Sequence, residues 1–378
     1  MPFKSDETMT IKEVVTINDI KTFVRFPKQL YAGCPYFVPP LEKGEMRTMT
    51  KHPALSFCDA KFWLAYRDGK VVGRVGGVVN RKCNEIKGQK RVRFGWFDTI
   101  DDMEVAKALL DTVEQWGREQ GMTEICGPSR FSNMEKQSML VEGFDVTPLI
   151  CADYNYPYYP QLVEQLGFEK EVDYIQYRVP INEIPEKITR LSELLSKKYN
   201  VHLRHFKNKS ELKKYGQEFF TALNQSYADI FNFIPLTKEE IDWTVDEDFQ
   251  VADASLSSII EDDNGKLVGF AFCLPSLSNA LKKAKGSLFP FGWFHVLRAL
   301  KKNDSIDLYL TGVLPEYHNS GIHVLYHQQI HENSLARGYK FAYTSQQLED
   351  NTAARIWPKY GGELIARRRC YKKLISEK

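Results

Sequence analysis

The stretch Asn264-Gly265-Lys266-Leu267-Val268-Gly269 repeats, with small changes, an earlier stretch of the chain, Asp68-Gly69-Lys70-Val71-Val72-Gly73. Each copy predicts a β-hairpin, because an Asp-Gly or Asn-Gly turn beside an apolar strand is a strong hairpin signal. A second pattern, in which a helix ends at a glycine, occurs at Gly167 and returns at Gly361. Both patterns recur after nearly the same number of residues. The chain is therefore predicted to contain two similar modules.

Between these paired features, each module contains a strand, a long helix and another strand. In the first module, strand 92–97 precedes a helix from Met103 to Gln120, whose apolar residues keep the helical period. In the second, strand 306–310 precedes a helix over 322–337. The order predicts an α/β (α+β) fold with mixed central sheets flanked by helices. We place the domains at 1–183 and 184–378, with inserts at about 127–158 and 274–303.

Composition excludes several classes of protein. The 378 residues are 43% hydrophobic, which is typical of a globular protein. A net charge of +2 gives no signature of nucleic-acid binding, and no apolar run is long enough to cross a membrane. The N-terminus lacks the apolar core of a secretory signal, and the seven scattered cysteines are typical of reduced thiols. We therefore expect a cytoplasmic protein. A location at the inner surface of the membrane is the alternative.

The most informative motif lies in the second module, between its predicted strand and helix. It reads Leu310-Thr311-Gly312-Val313-Leu314-Pro315-Glu316-Tyr317-His318-Asn319-Ser320-Gly321-Ile322-His323-Val324-Leu325. Successive backbone N–H groups at a helix N-terminus form a nest for an anion, and the helix dipole supports it. Gly321 allows the backbone to approach a diphosphate. The alternative interpretation is an ordinary capped helix after a turn.

This motif resembles the GNAT (Gcn5-related N-acetyltransferase) superfamily, including its hydrophobic strand, its Pro-Glu-Tyr turn and its glycine loop. The resemblance implies an acyl-CoA co-substrate, acetyl-CoA or a longer acyl-CoA, and an N-acyltransferase activity. Glu349-Asp350-Asn351 resembles the start of the family's last helix, whose Asn contacts the pantetheine arm. The implied CoA-binding residues are Val313, Leu314, His318, Asn319, Ser320, Gly321, Ile322, His323 and Asn351.

Two histidines depart from the family pattern. His318 stands where Arg or Gln is usual, and His323 replaces a small residue, where it could obstruct a phosphate or donate to it. His323, His327 and His331 have the i, i+4 spacing of metal ligands on a helix. Because no acidic or cysteine ligand is nearby, we predict no metal.

The first module has the same order of elements without the glycine loop. Its corresponding segment, 98–104, contains four carboxylates that would cap a helix and repel a diphosphate. The insert at 127–158 is rich in Tyr, Asn and carboxylates, and its motifs resemble an uncharacterised group of bacterial tandem GNAT-like proteins. We expect this module to shape the acceptor pocket without binding CoA. A packed Tyr/Pro loop is the structural alternative.

Acyl transfer to an amine needs a base for the ammonium and an acid for the departing thiolate. Glu135 or Asp145 of the first module, or Glu349 of the second, is the predicted base. The tyrosine that GNAT enzymes often use as acid is replaced by Trp357 in the second module and Val163 in the first. The acid therefore stays unassigned, with Tyr309, Tyr360 and Tyr156 as candidates.

Residues 281–302 contain six basic residues, four aromatic rings and no acidic residue. This composition favours a lid or an interfacial helix that contacts anionic lipid or a long acyl chain. The alternative is an amphipathic helix packed on its domain. The acceptor is accordingly a small-molecule amine or a lipid amine, with peripheral membrane contact through 281–302 in the second case. A non-catalytic CoA-binding protein is the competing function.

Overall fold

The structure is a computed structural model, and it describes residues 9–249 and 251–376. The chain forms two compact units. The first comprises the described residues up to Ile175 together with Ser278–Trp293 and the chain from Ile365 onward. The second comprises Gln176–Leu277 and Phe294–Leu364. The domain boundaries at 1–183 and 184–378 stay a prediction.

The first unit is built around an apolar core between its sheet and helix α4. Its sheet has the strand order β1-β2-β3-β4-β5-β14, in which only β4 and β5 are parallel, and β6 pairs with β14. Trp63, Phe94 and Leu109 lie in the core. The elements are β1 Met9–Glu13, α1 Ile17–Leu30, α2 Glu42–Lys51, β2 Cys58–Arg67, β3 Lys70–Asn80, α3 Arg81–Lys87, β4 Arg91–Thr99, α4 Met103–Glu119, β5 Glu124–Gly127, β6 Met139–Glu142, α5 Tyr158–Gln165 and β7 Glu169–Pro180.

The second unit repeats this plan. Its sheet has the order β7-β12-β11-β10-β9-β8, in which only β11 and β12 are parallel. The elements from Glu186 onward are α6 Glu186–Tyr199, β8 Val201–Arg204, α7 Lys209–Lys214, α8 Gly216–Ser226, α9 Lys238–Asp248, β9 Ser257–Asp262, β10 Leu267–Pro275, α10 Ser278–Ala284, α11 Gly292–Lys301, β11 Ser305–Val313, α12 His323–Ala336, β12 Phe341–Thr344, β13 Gln347–Leu348 and β14 Glu363–Leu374. Of these, α10 and nearly all of β14 belong to the first unit. Short 3₁₀ segments include Pro315–Tyr317 and Thr352–Tyr360.

The repeated hairpin is confirmed, with a different turn in each copy. In the first, only Asp68 and Gly69 separate the strands, and both have positive φ. In the second, the loop is longer. The Asp262 carboxylate accepts hydrogen bonds from the backbone N–H groups of Asn264 and Lys266, both at 2.9 Å.

The last strand of each sheet lies outside the range of residues that was predicted for its domain. β14, the last strand of the chain, pairs antiparallel with β5 of the first unit, with Tyr371 opposite Gly127. Residues 178–180 of β7 pair antiparallel with β12 of the second unit. Not every basic residue of β14 faces solvent. Arg368 is 1% exposed and donates to the Asp153 carbonyl at 2.7 Å.

The insert predicted at 274–303 was assigned to the second module, but residues 278–293 belong to the first unit. Hydrogen bonds explain this assignment. The Ser278 hydroxyl donates to the Pro148 carbonyl at 2.8 Å, and the Glu42 N–H donates to the Gly286 carbonyl at 3.0 Å. The charged side chain of Lys282 also donates to the Pro35 carbonyl.

Candidate active site

In the second unit, the parallel strands β11 and β12 separate halfway along. They pair from Ser305 opposite Phe341 to Leu308 opposite Thr344, and β11 then continues to Val313 after β12 has ended. At the same point, Tyr309 forms a β-bulge, because Leu308 and Leu310 pair with the consecutive β10 residues Cys273 and Phe272. The unpaired length of β11 offers backbone groups to an extended ligand.

The predicted anion loop follows directly after this gap. Asn319 has a φ of +63° and Gly321 a φ of +83°, so the backbone of the loop turns sharply at both residues. Among the described residues, no protein group accepts from the N–H groups of Asn319, Gly321 and His323. The side chain of Ile322 is fully buried and fixes the loop to the core.

The other predicted loop residues are already bonded within the protein. The N–H groups of Leu314, His318 and Ser320 donate to backbone carbonyls, and that of Ile322 donates to the Ser320 hydroxyl at 3.2 Å. Val313 lies opposite Gly269 at the end of β11. Asn351 begins a turn in which its carbonyl accepts from the Ala354 N–H. Their contacts with CoA stay a prediction.

The three helix histidines lie in apolar surroundings on α12. Burial lowers the pKa of His323, and burial together with His323 and His331 lowers the pKa of His327 to about 3. The His323 and His327 rings are therefore neutral at pH 7. Within residues 9–249 and 251–376, no group of three His, Cys, Asp or Glu side chains is placed to hold a metal ion.

An apolar cavity of about 630 Å³, including its opening, lies between α12 and the sheet of the second unit. Ile306 and Leu308 of β11, Ala342 of β12 and Ile330 of α12 form its walls, together with Trp357. Because the lining is mostly aliphatic, the cavity suits a hydrocarbon chain better than a polar group.

On the opposite face of β11 lies a carboxylate that the sequence analysis missed. Side chains alternate along a strand, so Asp307 points away from the cavity that Ile306 and Leu308 line. Asp307 is 1% exposed, and neither carboxylate oxygen has a geometrically good hydrogen bond among the described residues. Burial raises its pKa to about 7, against a smaller opposing effect of the nearby Ser276 hydroxyl.

Asp307 is also next to the gap. It pairs with Tyr343, one position before the last paired residues of β11 and β12. Its opposite neighbour on β10 is Leu274, on the same face as Phe272, whose ring stacks on Phe249 at 4.9 Å. A buried carboxyl group with a pKa near 7 is suited to accept a proton at neutral pH. The alternating pattern of β11 in the sequence does not reveal this carboxyl group. Its raised pKa results from burial without good hydrogen-bond partners, which is known only from the folded chain.

The bases predicted in the sequence lie in varied surroundings. Glu349 is exposed beside Asn351 in the second unit, and Asp145 is exposed in a loop of the first. Glu135 lies in the first unit, where burial raises its pKa to about 7 while it accepts from the Phe131 N–H at 2.9 Å. Tyr309 occupies the β-bulge and is partly buried. Their catalytic roles stay predictions.

The corresponding gap of the first unit is lined by its own ion pairs. β4 and β5 pair only as far as Arg93 opposite Cys126. Beyond that point, Arg74 pairs with Asp98 at 2.7 Å, and Arg130 contacts Glu45 and Asp153, each at 3.0 Å. Four of these charged side chains, Arg74, Asp98, Arg130 and Asp153, also line a pocket of the first unit, so an anion that entered it would meet carboxylates already paired with the arginines.

The start of α4 is equally occupied. The Asp102 carboxylate accepts from the N–H groups of Glu104 and Val105, which confirms the expected cap. Asp98, also expected near this cap, is instead buried on β4 and accepts from the Tyr31 hydroxyl at 2.8 Å. The helix end that would hold a diphosphate already holds a carboxylate.

One CoA per chain is the expected stoichiometry, because the helix N-terminus is open in the second unit and capped by Asp102 in the first. Isothermal titration of the full chain with CoA measures it directly. Asp102→Ala should leave the stoichiometry unchanged, since the carboxylates of the ion pairs still line the first gap. Two equivalent sites in the unaltered chain would contradict this expectation.

Comparison with known proteins agrees with this geometry. No protein-family model matches the chain. A tandem GNAT protein from the clavulanic acid biosynthesis pathway superposes with a TM-score of 0.60 at 11% identity, over 98% of this chain and 100% of that one. A GCN5-related N-acetyltransferase from Sphaerobacter thermophilus gives 0.55 at 14% identity, over 99% and 97%. The chain therefore has the tandem GNAT fold, and the resemblance found in the sequence is confirmed at the level of the fold.

Two proteins are similar in sequence along most of their length. Protein YghO of Escherichia coli (strain K12) is 28% identical over 376 residues, which is 97% of this chain and 95% of that protein. A bacterial ceramide synthase of Caulobacter vibrioides (strain NA1000 / CB15N) is 29% identical over 330 residues, which is 85% of this chain and 84% of that protein.

Proposed function

We propose that the protein is an acyl-CoA-dependent N-acyltransferase whose reaction takes place in the second unit, with a long-chain acyl group as the donor. The observation that carries this proposal is the gap beside β11, with an open anion loop at one end and the buried Asp307 next to it. The tandem GNAT fold and the ceramide synthase relative support acyl transfer in general.

In the proposed step, Asp307 accepts a proton from the acceptor ammonium. The neutral amine nitrogen then attacks the thioester carbonyl carbon, so that a C–N bond forms and the C–S bond breaks. CoA leaves as the thiolate and takes up the second proton of the attacking nitrogen, so that a neutral amide and the CoA thiol are formed, and Asp307 afterwards returns its proton to solvent. The loop of Asn319, Gly321 and His323 would hold the diphosphate, and the protein would contribute mainly positioning and the base.

The aliphatic cavity supports a long acyl chain over acetyl. An acetyl group leaves such a cavity empty, whereas an alkyl chain gains about 25 cal/mol for each Å² of apolar surface that it buries. The ceramide synthase relative supports a lipid amine as acceptor, since a ceramide is an N-acylated long-chain amine. Small soluble amines stay the alternative.

The proposal is tested with purified protein, palmitoyl-CoA and a long-chain amine such as sphinganine. We expect amide formation with equimolar release of CoA thiol. Binding of acyl-CoA without amine-dependent thiol release would favour the competing non-catalytic function. The buried Asp307 argues against that function, because an unpaired buried carboxyl group costs stability that a binding protein need not lose.

Ala342→Phe should shift the donor preference toward shorter chains. Ala342 is 7% exposed and lines the cavity, so a phenyl ring in its place occupies space that the proposed acyl chain would fill. We expect kcat/KM for palmitoyl-CoA to fall about 10-fold or more, because several methylene groups lose their burial at about 0.8 kcal/mol each. Activity with acetyl-CoA provides the internal control, and an equal loss for both donors would contradict the assignment.

A further inference from the structure

The segment 289–297 exposes an unusual number of large apolar side chains. Phe289 is 72% exposed and Phe291 76%, followed by Trp293 at 43%, Phe294 at 53% and Leu297 at 49%. Five such residues within nine positions form a continuous apolar patch in the chain. Folded proteins rarely expose a patch of this kind unless it contacts a partner or a membrane.

The exposed rings lie on a well-ordered scaffold. The Trp293 indole N–H donates to the Pro290 carbonyl at 2.9 Å, and the Ser287 hydroxyl donates to the Phe289 carbonyl at 2.8 Å. Gly292 is buried so tightly that a Cβ there would lie 1.9 Å from the Ser287 carbonyl oxygen. The loop is therefore held in the conformation that presents its rings to solvent.

Helix α11 also exposes apolar side chains. Trp293, Phe294 and Leu297 have the spacing of one helix face and are exposed, and Lys301 extends this face by one turn. Val296 and Leu300 of the same helix are partly buried. The helix therefore presents apolar side chains to solvent, which a packed amphipathic helix with only its charged side outward does not.

The charged side chains of the segment itself are all positive. Residues 281–302 contain no acidic residue. Within the described chain, no ion pair involves the exposed cations of the segment, which are Lys283, Lys285, Arg298, Lys301 and Lys302. Lys282 is different, because it donates to the Pro35 carbonyl and the Thr147 hydroxyl and so holds the segment in place.

We infer that residues 283–302 dock the protein on the surface of a bilayer that contains anionic lipids. Phe289, Phe291, Trp293, Phe294 and Leu297 would enter the interface while the surrounding cations contact lipid phosphates. No helix in residues 9–249 or 251–376 is long and apolar enough to cross a membrane, so the contact is a peripheral one. An anionic bilayer accounts for both features at once, because its phosphates attract the cations and its apolar interior accommodates the exposed aromatic rings.

The test is sedimentation of the full chain with vesicles, without acyl-CoA or amine, so that its result is independent of the proposed reaction. We expect strong binding to vesicles of phosphatidylglycerol and phosphatidylcholine, and much weaker binding to phosphatidylcholine alone. Phe289→Ser with Phe291→Ser should weaken binding at least 10-fold. Leu374→Ser, at a residue 76% exposed elsewhere, should not weaken it.

A charge variant separates the electrostatic contribution. Changing four exposed lysines of the segment to Gln should reduce binding to anionic vesicles by about 600-fold, since each contributes roughly 5-fold near an anionic surface. The lysines are Lys283, Lys285, Lys301 and Lys302. The matched control changes four exposed lysines elsewhere, which are Lys21, Lys43, Lys51 and Lys70.

Three outcomes would overturn the inference. The first is equal and negligible sedimentation of the unaltered chain with both vesicles. The second is equal binding of the segment variant and its lysine control. The third is aromatic-dependent self-association in place of vesicle binding, which would identify a second copy of the chain as the occupant. Circular dichroism of each variant confirms that the loss is not one of folding.

Discussion

Asp307→Asn should remove most of the turnover and at the same time stabilise the protein. If Asp307 is the base, its loss should lower kcat by about 100- to 10,000-fold. The amide has nearly the same shape as the carboxyl group, so the strand should keep its geometry. Acyl-CoA affinity should change little, because Asp307 lies on the face of β11 away from the cavity.

The gain in stability follows from the sign of the pKa shift. The folded chain holds the Asp307 proton up to a pKa of about 7, whereas the ordinary value is 3.8. Between these values the folded state binds more protons than the unfolded state, so stability falls as pH rises. Removing the charge should raise the free energy of unfolding at pH 8 by roughly 2 kcal/mol or more, with little gain at pH 4.

Denaturant unfolding at the two pH values and the pH dependence of kcat/KM measure these effects. In the unaltered chain, kcat/KM should rise with pH through about 7, and this rise should be absent in the variant. Asp304→Asn is the matched control, because Asp304 is exposed and lies three positions earlier in the chain. An Asp307→Asn variant with full activity would exclude Asp307 as the base and leave Glu349, Glu135 and Asp145 as the candidates.

Gly321→Glu should nearly abolish CoA binding. The new carboxylate would lie in the loop that is proposed to hold the diphosphate. Two negative charges in direct contact repel each other by several kcal/mol. We therefore expect the affinity for CoA to fall about 100-fold or more. Isothermal titration calorimetry with CoA measures this loss.

Two control variants separate charge from backbone strain. Gly321→Ala introduces the same backbone strain, since it also places a side chain at a φ of +83°, but it adds no charge. Its affinity for CoA should therefore fall roughly 10-fold at most. Gly338→Glu places the same charge at a φ of +76° beyond the other end of α12, and CoA binding should not change. Unaltered affinity in Gly321→Glu would refute the loop as the CoA site.

The local pattern of the sequence was sufficient for the repeated architecture. Turn residues such as Asp68-Gly69 fix a hairpin through their own backbone preferences, and the apolar period of 103–120 specifies a helix that the structure ends at Glu119. The anion loop was predictable for the same reason, because the positive φ of Gly321 and the start of α12 are local properties.

Only the tertiary structure decided which strands complete each sheet and which carboxylate is buried. β14 pairs with β5 across a large separation in sequence, and strand pairing of that kind leaves no short-range signal. Asp307 differs from the exposed Glu349 not by residue type or spacing but by its surroundings, since its pKa depends on the groups that fold around it. In the same way, the sequence determined that residues 281–302 are basic and aromatic, whereas the fold determined that Phe289 and Phe291 face solvent.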